Sequence, residues 1–84
     1  MSQAVAITMY TTPTCAFCHM AKEYFKARGV KYEAKDVTTD ASAYHELLDK
    51  SHQLGVPVID IGGTIIVGFD RPRIDLALRE KGLV

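Results

Sequence analysis

The sequence is poor in the features that mark several classes of protein. Only two of its 84 residues are cysteine, too few to hold a small secreted fold together with disulfides. Ten basic side chains balance ten acidic ones without a basic stripe or charged tail, so neither nucleic acid nor a charged membrane surface is predicted as a partner. No apolar run approaches the roughly 18 residues that a membrane span requires.

The first residues of the sequence do not have the pattern of a secretory signal. Residues 1–6 carry no positively charged side chain and lead directly into a strand pattern, which argues against a secretory signal. Two cysteines three residues apart, without a secretory signal, indicate the cytoplasm, where thiols stay reduced unless they are catalytic. We therefore expect a cytoplasmic protein. The length predicts one domain over residues 1–84. Nothing in the sequence indicates oligomerisation, and a monomer is expected.

The spacing of apolar residues alternates between two and 3.6, the periods of strands and helices. Strands are predicted over 4–10, 30–37, 58–61 and 64–67, the last two joined by a Gly62-Gly63 turn. Helices are predicted from Cys15 to Gly29, after Asp40 and after Asp70. The order β-α-β-α-β-β-α predicts an α/β fold in which a four-stranded mixed sheet carries helices on both faces, the thioredoxin-like arrangement.

The helices have predicted caps and core faces. Their N-caps are expected to be Thr14, Asp40 and Asp70. Helical periodicity predicts three inward-facing residues in each helix: Cys18, Ala21 and Phe25; Tyr44, Leu47 and Leu48; and Ile74, Ala77 and Leu78.

Cys15 and Cys18 are the most informative residues of the chain. They follow a predicted strand and open a predicted helix, so Cys15 lies where backbone N–H groups and the helix dipole stabilise a thiolate. The spacing lets the two thiols form a disulfide. We predict a redox pair in which Cys15 attacks a substrate disulfide and Cys18, on the buried face, resolves the mixed disulfide. Two purely structural cysteines are the alternative, which the strand–helix setting disfavours.

Metal-binding alternatives start from the histidines. His19 completes a Cys-x-x-Cys-His string, which is also the attachment signature of a c-type haem. The β-rich pattern and the lack of an export signal argue against haem. A zinc site would need His45 and His52, whose separation lies outside the usual ligand spacing. We predict no metal and no bound cofactor, because the two electrons of a disulfide exchange can pass through the cysteine pair.

Three segments carry a resemblance to the glutaredoxins. The string from Tyr10 through Cys15-Ala16-Phe17-Cys18 to Lys22 resembles the opening of a glutaredoxin. Gln53 followed by Gly55-Val56-Pro57-Val58 resembles the family's Thr-Val-Pro segment, and Val67-Gly68-Phe69-Asp70 resembles its Gly-rich turn. The resemblance covers essentially the whole chain. It implies a glutaredoxin fold and a thiol–disulfide oxidoreductase that reduces protein disulfides or glutathione mixed disulfides, with glutathione as co-substrate.

The resemblance also implies the remaining site residues. Val56–Pro57 is expected to be a cis peptide bond facing Cys15, with the Val56 backbone free to pair with an extended substrate. Asp70 serves better as a helix cap than as a ligand, and Phe69 equally suits core packing. The residues implied to contact substrate or glutathione are Thr12, Phe17, Gln53, Val56, Pro57, Gly68, Phe69 and Asp70.

Departures from the family pattern leave the electron donor open. Thr12 and Leu54 stand where many glutaredoxins carry basic residues, so two contacts of about 1.5–3 kcal/mol to a glutathione carboxylate are missing. Gly68-Phe69-Asp70 resembles the turn of NrdH-type redoxins, which have a glutaredoxin fold but take electrons from thioredoxin reductase. Some glutaredoxins bridge a [2Fe–2S] cluster between two chains, and the small Ala16 keeps that binding function as a further alternative.

Overall fold

The computed structural model describes residues 5–83. Its elements are β1 (Ile7–Thr11), α1 (Ala16–Ala27), β2 (Glu33–Asp36), α2 (Ala41–Ser51), β3 (Val58–Ile61), β4 (Thr64–Val67) and α3 (Arg71–Glu80). The strands form one sheet in the order β2-β1-β3-β4, where β1 and β2 are parallel and the other pairs antiparallel. The predicted thioredoxin-like α/β fold is confirmed. Across residues 5–83, every helix is too short or too polar to span a bilayer.

The sheet separates two apolar clusters of unequal size. The larger lies between the sheet and helices α1 and α3, and it includes Met9, Phe25, Ile59, Ile66 and Leu78. The smaller lies between the sheet and α2, and it consists of Tyr10, Ala43, Leu47 and Val58. Neighbouring residues of β1 therefore point to opposite faces, as the period of a strand requires. The inward faces predicted for α1 and α3 are buried as expected.

The second strand is shorter than predicted. Its predicted first residue, Val30, is instead hydrogen-bonded to the C-terminal end of α1. Gly29 has a φ of +67°, a left-handed conformation that glycine adopts without steric cost. Its N–H donates to the carbonyl of Lys26 at 3.1 Å, and Val30 donates to the carbonyl of Phe25 at 3.0 Å. This pair of bonds is a Schellman motif. Val30 thus belongs to the helix end, and β2 begins only at Glu33.

The first strand also differs from its predicted limits. Ala4, its predicted first residue, lies outside the described residues. The structure begins β1 at Ile7 and extends it to Thr11, one residue beyond the prediction. The Thr11 carbonyl accepts the N–H of Val37 at 3.0 Å, although β2 itself ends at Asp36. Contact between the parallel strands therefore continues to the point where the chain turns toward Cys15.

The hairpin and the start of α3 follow the prediction. Gly62 and Gly63 have φ values of +56° and +99°, and both are positive as a type I′ turn requires. The carboxylate of Asp60 accepts the N–H of Gly63 at 2.7 Å, which supports the turn. The Asp70 carboxylate accepts the N–H of Arg73 at 3.3 Å and so caps α3.

Helix α2 begins at its predicted cap but turns a different face to the sheet. The Asp40 carboxylate accepts the N–H of Ala43 at 3.2 Å. Leu47 is buried and Leu48 half-buried, but Tyr44 is 39% exposed, so the inward prediction for Tyr44 was wrong. The small side chain of Ala43 lets the helix pack closely on the sheet, and the next residues on that face carry polar groups that bond to the strands.

Tyr10 and four charged side chains connect α2 to the sheet. The Tyr10 hydroxyl donates to Glu46 Oε1 at 2.8 Å and accepts from Lys50 Nζ at 2.7 Å. Lys50 Nζ also lies 2.7 Å from Asp60 Oδ2, and Lys35 Nζ lies 3.2 Å from Glu46 Oε1. Burial alone lowers the pKa of Lys50, but its hydrogen bonds to Asp60 and Tyr10 outweigh burial and the net shift is upward. This network fixes the C-terminal end of α2 on the sheet.

Replacing the central lysine (Lys50→Met) is expected to destabilise the fold by about 2 kcal/mol. The change keeps the aliphatic volume but removes the ammonium group that neutralises Asp60, whose side chain is only 17% exposed, and that donates to the Tyr10 hydroxyl. The Gly63 N–H remains the partner of the other Asp60 oxygen. Urea unfolding followed by circular dichroism measures the loss. The double variant Lys50→Met/Asp60→Asn should recover part of it, because no carboxylate is then left without its cation while the amide oxygen can still accept the Gly63 N–H.

The matched control is Lys35→Met, which removes a lysine from the edge of the same network. Among residues 5–83 the Lys35 ammonium bonds to Glu46 alone, so a smaller loss of stability is expected. An equal loss in the two single variants would contradict the central position assigned to Lys50.

Candidate redox site

Cys15 is the residue from which α1 begins. Its backbone is extended, with φ −93° and ψ 110°, and its Sγ accepts the backbone N–H of Cys18 at 3.1 Å. The prediction of Thr14 as the N-cap was therefore wrong, because the sulfur itself takes that role. The capping position points the half-buried sulfur at the positive end of the helix.

Cys18 occupies the inward face of the same turn and is only 1% exposed. Burial raises the pKa of Cys18 to about 12, and the hydrogen bond with the Cys15 side chain contributes to the rise. A backbone hydrogen bond from Thr12 and the charge of Lys22 act in the opposite direction. Both thiols are free. The pair thus combines an accessible sulfur at a helix cap with a buried, protonated one.

Thr12 and Phe17 lie close to Cys15 in the sequence and carry no charge. The Thr12 carbonyl accepts the N–H of Cys15 at 3.4 Å, which closes the turn between β1 and α1. Phe17 is 60% exposed beside the redox pair, and Leu54 is exposed to a similar extent. None of these three residues carries a charge. Thr12 and Leu54 therefore supply no basic group that could pair with a glutathione carboxylate.

The loop before β3 is joined to the turn before α3. The Val56–Pro57 peptide bond is cis, as the resemblance implied. The Pro57 carbonyl accepts the N–H of Gly68 at 2.8 Å, which brings two predicted site residues into direct contact. Among residues 5–83, no backbone hydrogen bond involves Val56. Its N–H and carbonyl therefore have no backbone partner in the described part of the chain.

Gln53 has a structural role within its own loop. Its Nε2 donates to the Gly55 carbonyl at 3.1 Å, and its Oε1 accepts the Gly55 N–H at 2.5 Å. The side-chain amide is therefore engaged at both ends. A substrate that contacted this amide would have to share or replace these bonds, so the structure shows Gln53 first as a brace of the loop.

Phe69 packs against Tyr24 of α1, the helix that carries the two cysteines. Its ring meets the ring of Tyr24 edge-on, with 5.8 Å between centroids. Asp70 is occupied as the cap of α3. These contacts explain the positions of Phe69 and Asp70 without a bound ligand. Gly68 is the residue of this turn that bonds to Pro57, in the loop before β3.

Tyr24 connects the redox helix to α3. Its hydroxyl donates to Asp75, and its ring centroid lies 5.3 Å from the Arg28 guanidinium and 5.1 Å from that of Arg71. Arg28 also forms an ion pair with Asp75 at 3.4 Å. Burial raises the pKa of Tyr24, and the hydrogen bond to Asp75 raises it further. This cluster holds the start of α3 against α1.

Sequence reasoning did not find the contact between Tyr24 and Arg71. A local signal existed for Arg28, because residues four apart on a helix lie on the same face. Arg71 had no such signal, since it lies far from Tyr24 in the sequence and the first turn of a helix is usually solvated. Only the packing of α3 against α1 brings the two side chains together.

The three histidines are exposed and dispersed. His19 lies on α1, His45 on α2, and His52 ends α2 with a left-handed φ of +57°. In the part of the chain that the structure describes, no three His, Cys, Asp or Glu side chains lie close enough together to hold a metal ion.

The Glutaredoxin family profile matches residues 7–66, which include both cysteines and the cis proline. The chain belongs to the glutaredoxin family. Members of this family are thiol–disulfide oxidoreductases. An uncharacterised glutaredoxin-like 8.6 kDa protein of the rubredoxin operon of Clostridium pasteurianum is 44% identical over 69 residues, which cover 82% of this chain and 92% of that protein. A glutaredoxin of Neisseria meningitidis is 43% identical over 65 residues, 75% of each chain.

A solved structure supports the same fold. NrdH-redoxin of Escherichia coli, a glutaredoxin-like protein with a thioredoxin-like activity profile, has a TM-score of 0.76 at 28% identity, covering 84% of this chain and 92% of that one. The glutaredoxin fold is therefore confirmed. The family match ends at Ile66, before the Gly68-Phe69-Asp70 turn.

Proposed function

We propose that the chain is a dithiol oxidoreductase that reduces protein disulfides or glutathione mixed disulfides. The proposal rests on the asymmetry of the cysteine pair. The Cys15 Sγ accepts a backbone N–H at the start of α1, whereas Cys18 is buried with its pKa raised to about 12. A sulfur that caps a helix N-terminus and is partly exposed, beside a buried thiol, is an arrangement suited to directed thiol exchange.

The reaction proceeds in two exchange steps. The Cys15 thiolate attacks one sulfur of the substrate disulfide, forms a mixed disulfide and releases the other sulfur as a thiolate. Cys18 then loses its proton and attacks the Cys15 sulfur, which releases the second substrate thiol and leaves a Cys15–Cys18 disulfide. Two electrons pass from the dithiol to the substrate, so no bound cofactor is needed. An external thiol donor restores the reduced pair.

Substrate contacts are proposed around the pair. The Val56 backbone, which has no backbone partner among the described residues, supports pairing with an extended substrate. Phe17 and Thr12 offer apolar and backbone surface beside Cys15, and Gly68 closes the site through its bond to Pro57. Gln53, Phe69 and Asp70 contribute by holding the two loops in place.

A second candidate function concerns the electron donor. An NrdH-type redoxin takes its electrons from thioredoxin reductase instead of glutathione. The uncharged Thr12 and Leu54 favour this candidate, because the lost charge-assisted bonds weaken the binding of a glutathione carboxylate. Similarity to a glutaredoxin-like protein with a thioredoxin-like activity profile supports it as well.

Two donor systems tested in parallel separate these candidates. NADPH-driven reduction of a disulfide is measured with glutathione plus glutathione reductase, and separately with thioredoxin reductase alone. Turnover only with glutathione would assign a glutaredoxin whose missing charges are replaced by backbone contacts. Turnover only with thioredoxin reductase is the outcome that Thr12 and Leu54 favour. No turnover with either donor would contradict the proposed oxidoreductase function.

The requirement for reduced thiols also bears on the cellular compartment. A dithiol donor needs a reducing compartment, which favours the cytoplasm. We propose a monomer with protein disulfides as substrates, and glutathione or thioredoxin reductase as donor.

A further inference from the structure

The segment between α2 and Pro57 is held by side chains and not by a strand ladder. Within residues 5–83, no hydrogen bond between two backbone groups involves residues 53–56. The Ser51 hydroxyl lies 2.6 Å from the carbonyl oxygen of Leu47 and 3.0 Å from that of Gln53, and its single proton is shared between them. Ser51 thereby ties the start of the segment to the end of α2.

The Gln53 side-chain amide reaches both backbone groups of Gly55. Its Oε1 accepts the Gly55 N–H at 2.5 Å, and its Nε2 donates to the Gly55 carbonyl at 3.1 Å. The φ of Gly55 lies outside the left-handed range, so the backbone conformation does not require glycine here. A Cβ at this position would lie only 2.6 Å from Gln53 Oε1. The missing side chain therefore leaves room for the amide.

The bond from Gln53 to the Gly55 carbonyl also orients the N–H of Val56. The Gly55 carbonyl and the Val56 N–H belong to one planar peptide unit, and in its trans form they point in opposite directions. The Gly55–Val56 bond is trans, since Val56–Pro57 is the one cis bond within residues 5–83. The Val56 side chain packs against the smaller apolar cluster, whereas glycine tolerates many values of the torsion that turns this unit. Gln53 Nε2 thus determines where the Val56 N–H points.

We propose that Gln53 is a positioning residue that orients the Val56 N–H toward a backbone carbonyl of the substrate. Gln53 contacts Gly55 and not the substrate, and its hydrogen bond to the Gly55 carbonyl also polarises the Val56 N–H as a donor. The inference rests on the proposed function, in which an extended substrate pairs with Val56. It deepens that function by favouring disulfides that carry a peptide carbonyl near the reacting sulfur, as protein and glutathione disulfides do, over disulfides without one.

Two mixed disulfides of 5-thio-2-nitrobenzoate test this preference. One is formed with the cysteine of the neutral peptide acetyl-Ala-Ala-Cys-Ala-Ala-amide, and the other with 2-mercaptoethanol, which has no carbonyl. The Cys15 thiolate attacks the sulfur of the peptide or of 2-mercaptoethanol and releases the coloured thiolate, so absorbance reports the first exchange step in both cases. Comparing the ratio of the two rate constants between wild type and variants isolates the contribution of the peptide backbone.

Gln53→Glu is the decisive variant. A carboxylate can still accept the Gly55 N–H but has no proton to donate to the Gly55 carbonyl. The rate with the peptide disulfide is expected to fall about fivefold, as for the loss of one hydrogen bond, while the rate with the 2-mercaptoethanol disulfide stays within about twofold of wild type. Gln53→Met, which removes both bonds without adding a charge, should lose at least as much with the peptide. Gly55→Ala should show the same loss, because its Cβ displaces the amide.

The orientation itself can be measured by nuclear magnetic resonance. The residual dipolar coupling of the Val56 N–H should match the structure in the wild-type protein and be averaged in Gln53→Glu and Gln53→Met. Ser51→Ala should slow the peptide disulfide by only about twofold, since Ser51 bonds to the backbone of Gln53 and not to its side-chain amide. Ser42→Ala is the matched control and should change neither rate, because Ser42 is exposed at the start of the same helix.

Two kinds of failure can be told apart. An unchanged peptide rate in Gln53→Glu, or equal slowing of the peptide and 2-mercaptoethanol disulfides, would overturn the positioning role and leave the redox function intact. An unaltered Val56 coupling in Gln53→Met would overturn it as well. No reaction of the wild-type protein with the 2-mercaptoethanol disulfide would contradict the redox function itself.

Discussion

Replacing Cys15 with serine (Cys15→Ser) is expected to abolish disulfide reduction, with a loss of about a thousandfold or more. A serine hydroxyl is a weak nucleophile at neutral pH and cannot form the mixed disulfide. The fold should survive, because serine is itself a favoured N-cap and its oxygen can accept the Cys18 N–H that Cys15 Sγ accepts at 3.1 Å. Reduction of a peptide disulfide and of a glutathionylated peptide measures activity, and the urea midpoint measures stability.

Cys18→Ser is the matched variant, because it removes one sulfur from the same turn. It should spare exchange of the glutathione mixed disulfide, which needs only Cys15, and stop reduction of the peptide disulfide, which needs both thiols. Its hydroxyl is placed where Cys18 is 1% exposed, so Cys18→Ala serves as a companion without a buried polar group. Equal losses in both assays for the Cys18 variants would refute the division of roles.

The local features of this molecule could be predicted because each depends on neighbouring residues. Asp40 and Asp70 cap their helices by bonding to N–H groups three residues ahead, and the Gly62-Gly63 turn needs only two residues with positive φ. The Cys15–Cys18 pair has the same character. Its setting after a strand and at the start of a helix is visible in the sequence, and the structure confirms that setting.

The errors arose where two local rules competed. Thr14 is a favoured N-cap type directly before the predicted first helical residue, whereas the structure caps α1 with Cys15, a residue type that is not among the preferred N-caps. The apolar pattern favours Val30 as a strand residue, but the Schellman motif at Gly29 takes its N–H. Helical periodicity places Tyr44 on the inward face with Leu47 and Leu48, but Ala43 and Leu47 are the buried residues of α2.

Side-chain contacts between distant segments could not be predicted from the sequence. The Lys50–Tyr10 and Arg71–Tyr24 contacts depend on how α2 and α3 lie against the rest of the fold. Charged residues on an isolated helix are expected in solvent, and nothing local distinguishes Arg71 from Arg73. The electron donor stays open for a related reason, since Thr12 and Leu54 indicate only which charges are missing.

The rate at which Cys18 resolves a mixed disulfide is expected to rise about tenfold per pH unit between pH 6 and pH 9. Only the thiolate attacks. A thiol whose pKa is raised to about 12 is ionised in proportion to hydroxide throughout this range, whereas a free thiol would level off near pH 8.5. In the mixed disulfide the Cys15 sulfur is bonded and uncharged, so its contribution disappears. Burial, the larger cause, still raises the pKa of Cys18.

Rapid acid quenching and mass spectrometry can follow this step, because the mixed disulfide and the Cys15–Cys18 disulfide differ in mass. Cys18→Ser should hold the mixed disulfide at every pH, which assigns the pH-dependent step to Cys18. A plateau of the wild-type rate below pH 8 would contradict the raised pKa of the buried thiol and would require another group to take its proton. The charge of Lys22 lowers the pKa of Cys18. Lys22→Met should therefore slow resolution at each pH without changing the tenfold slope.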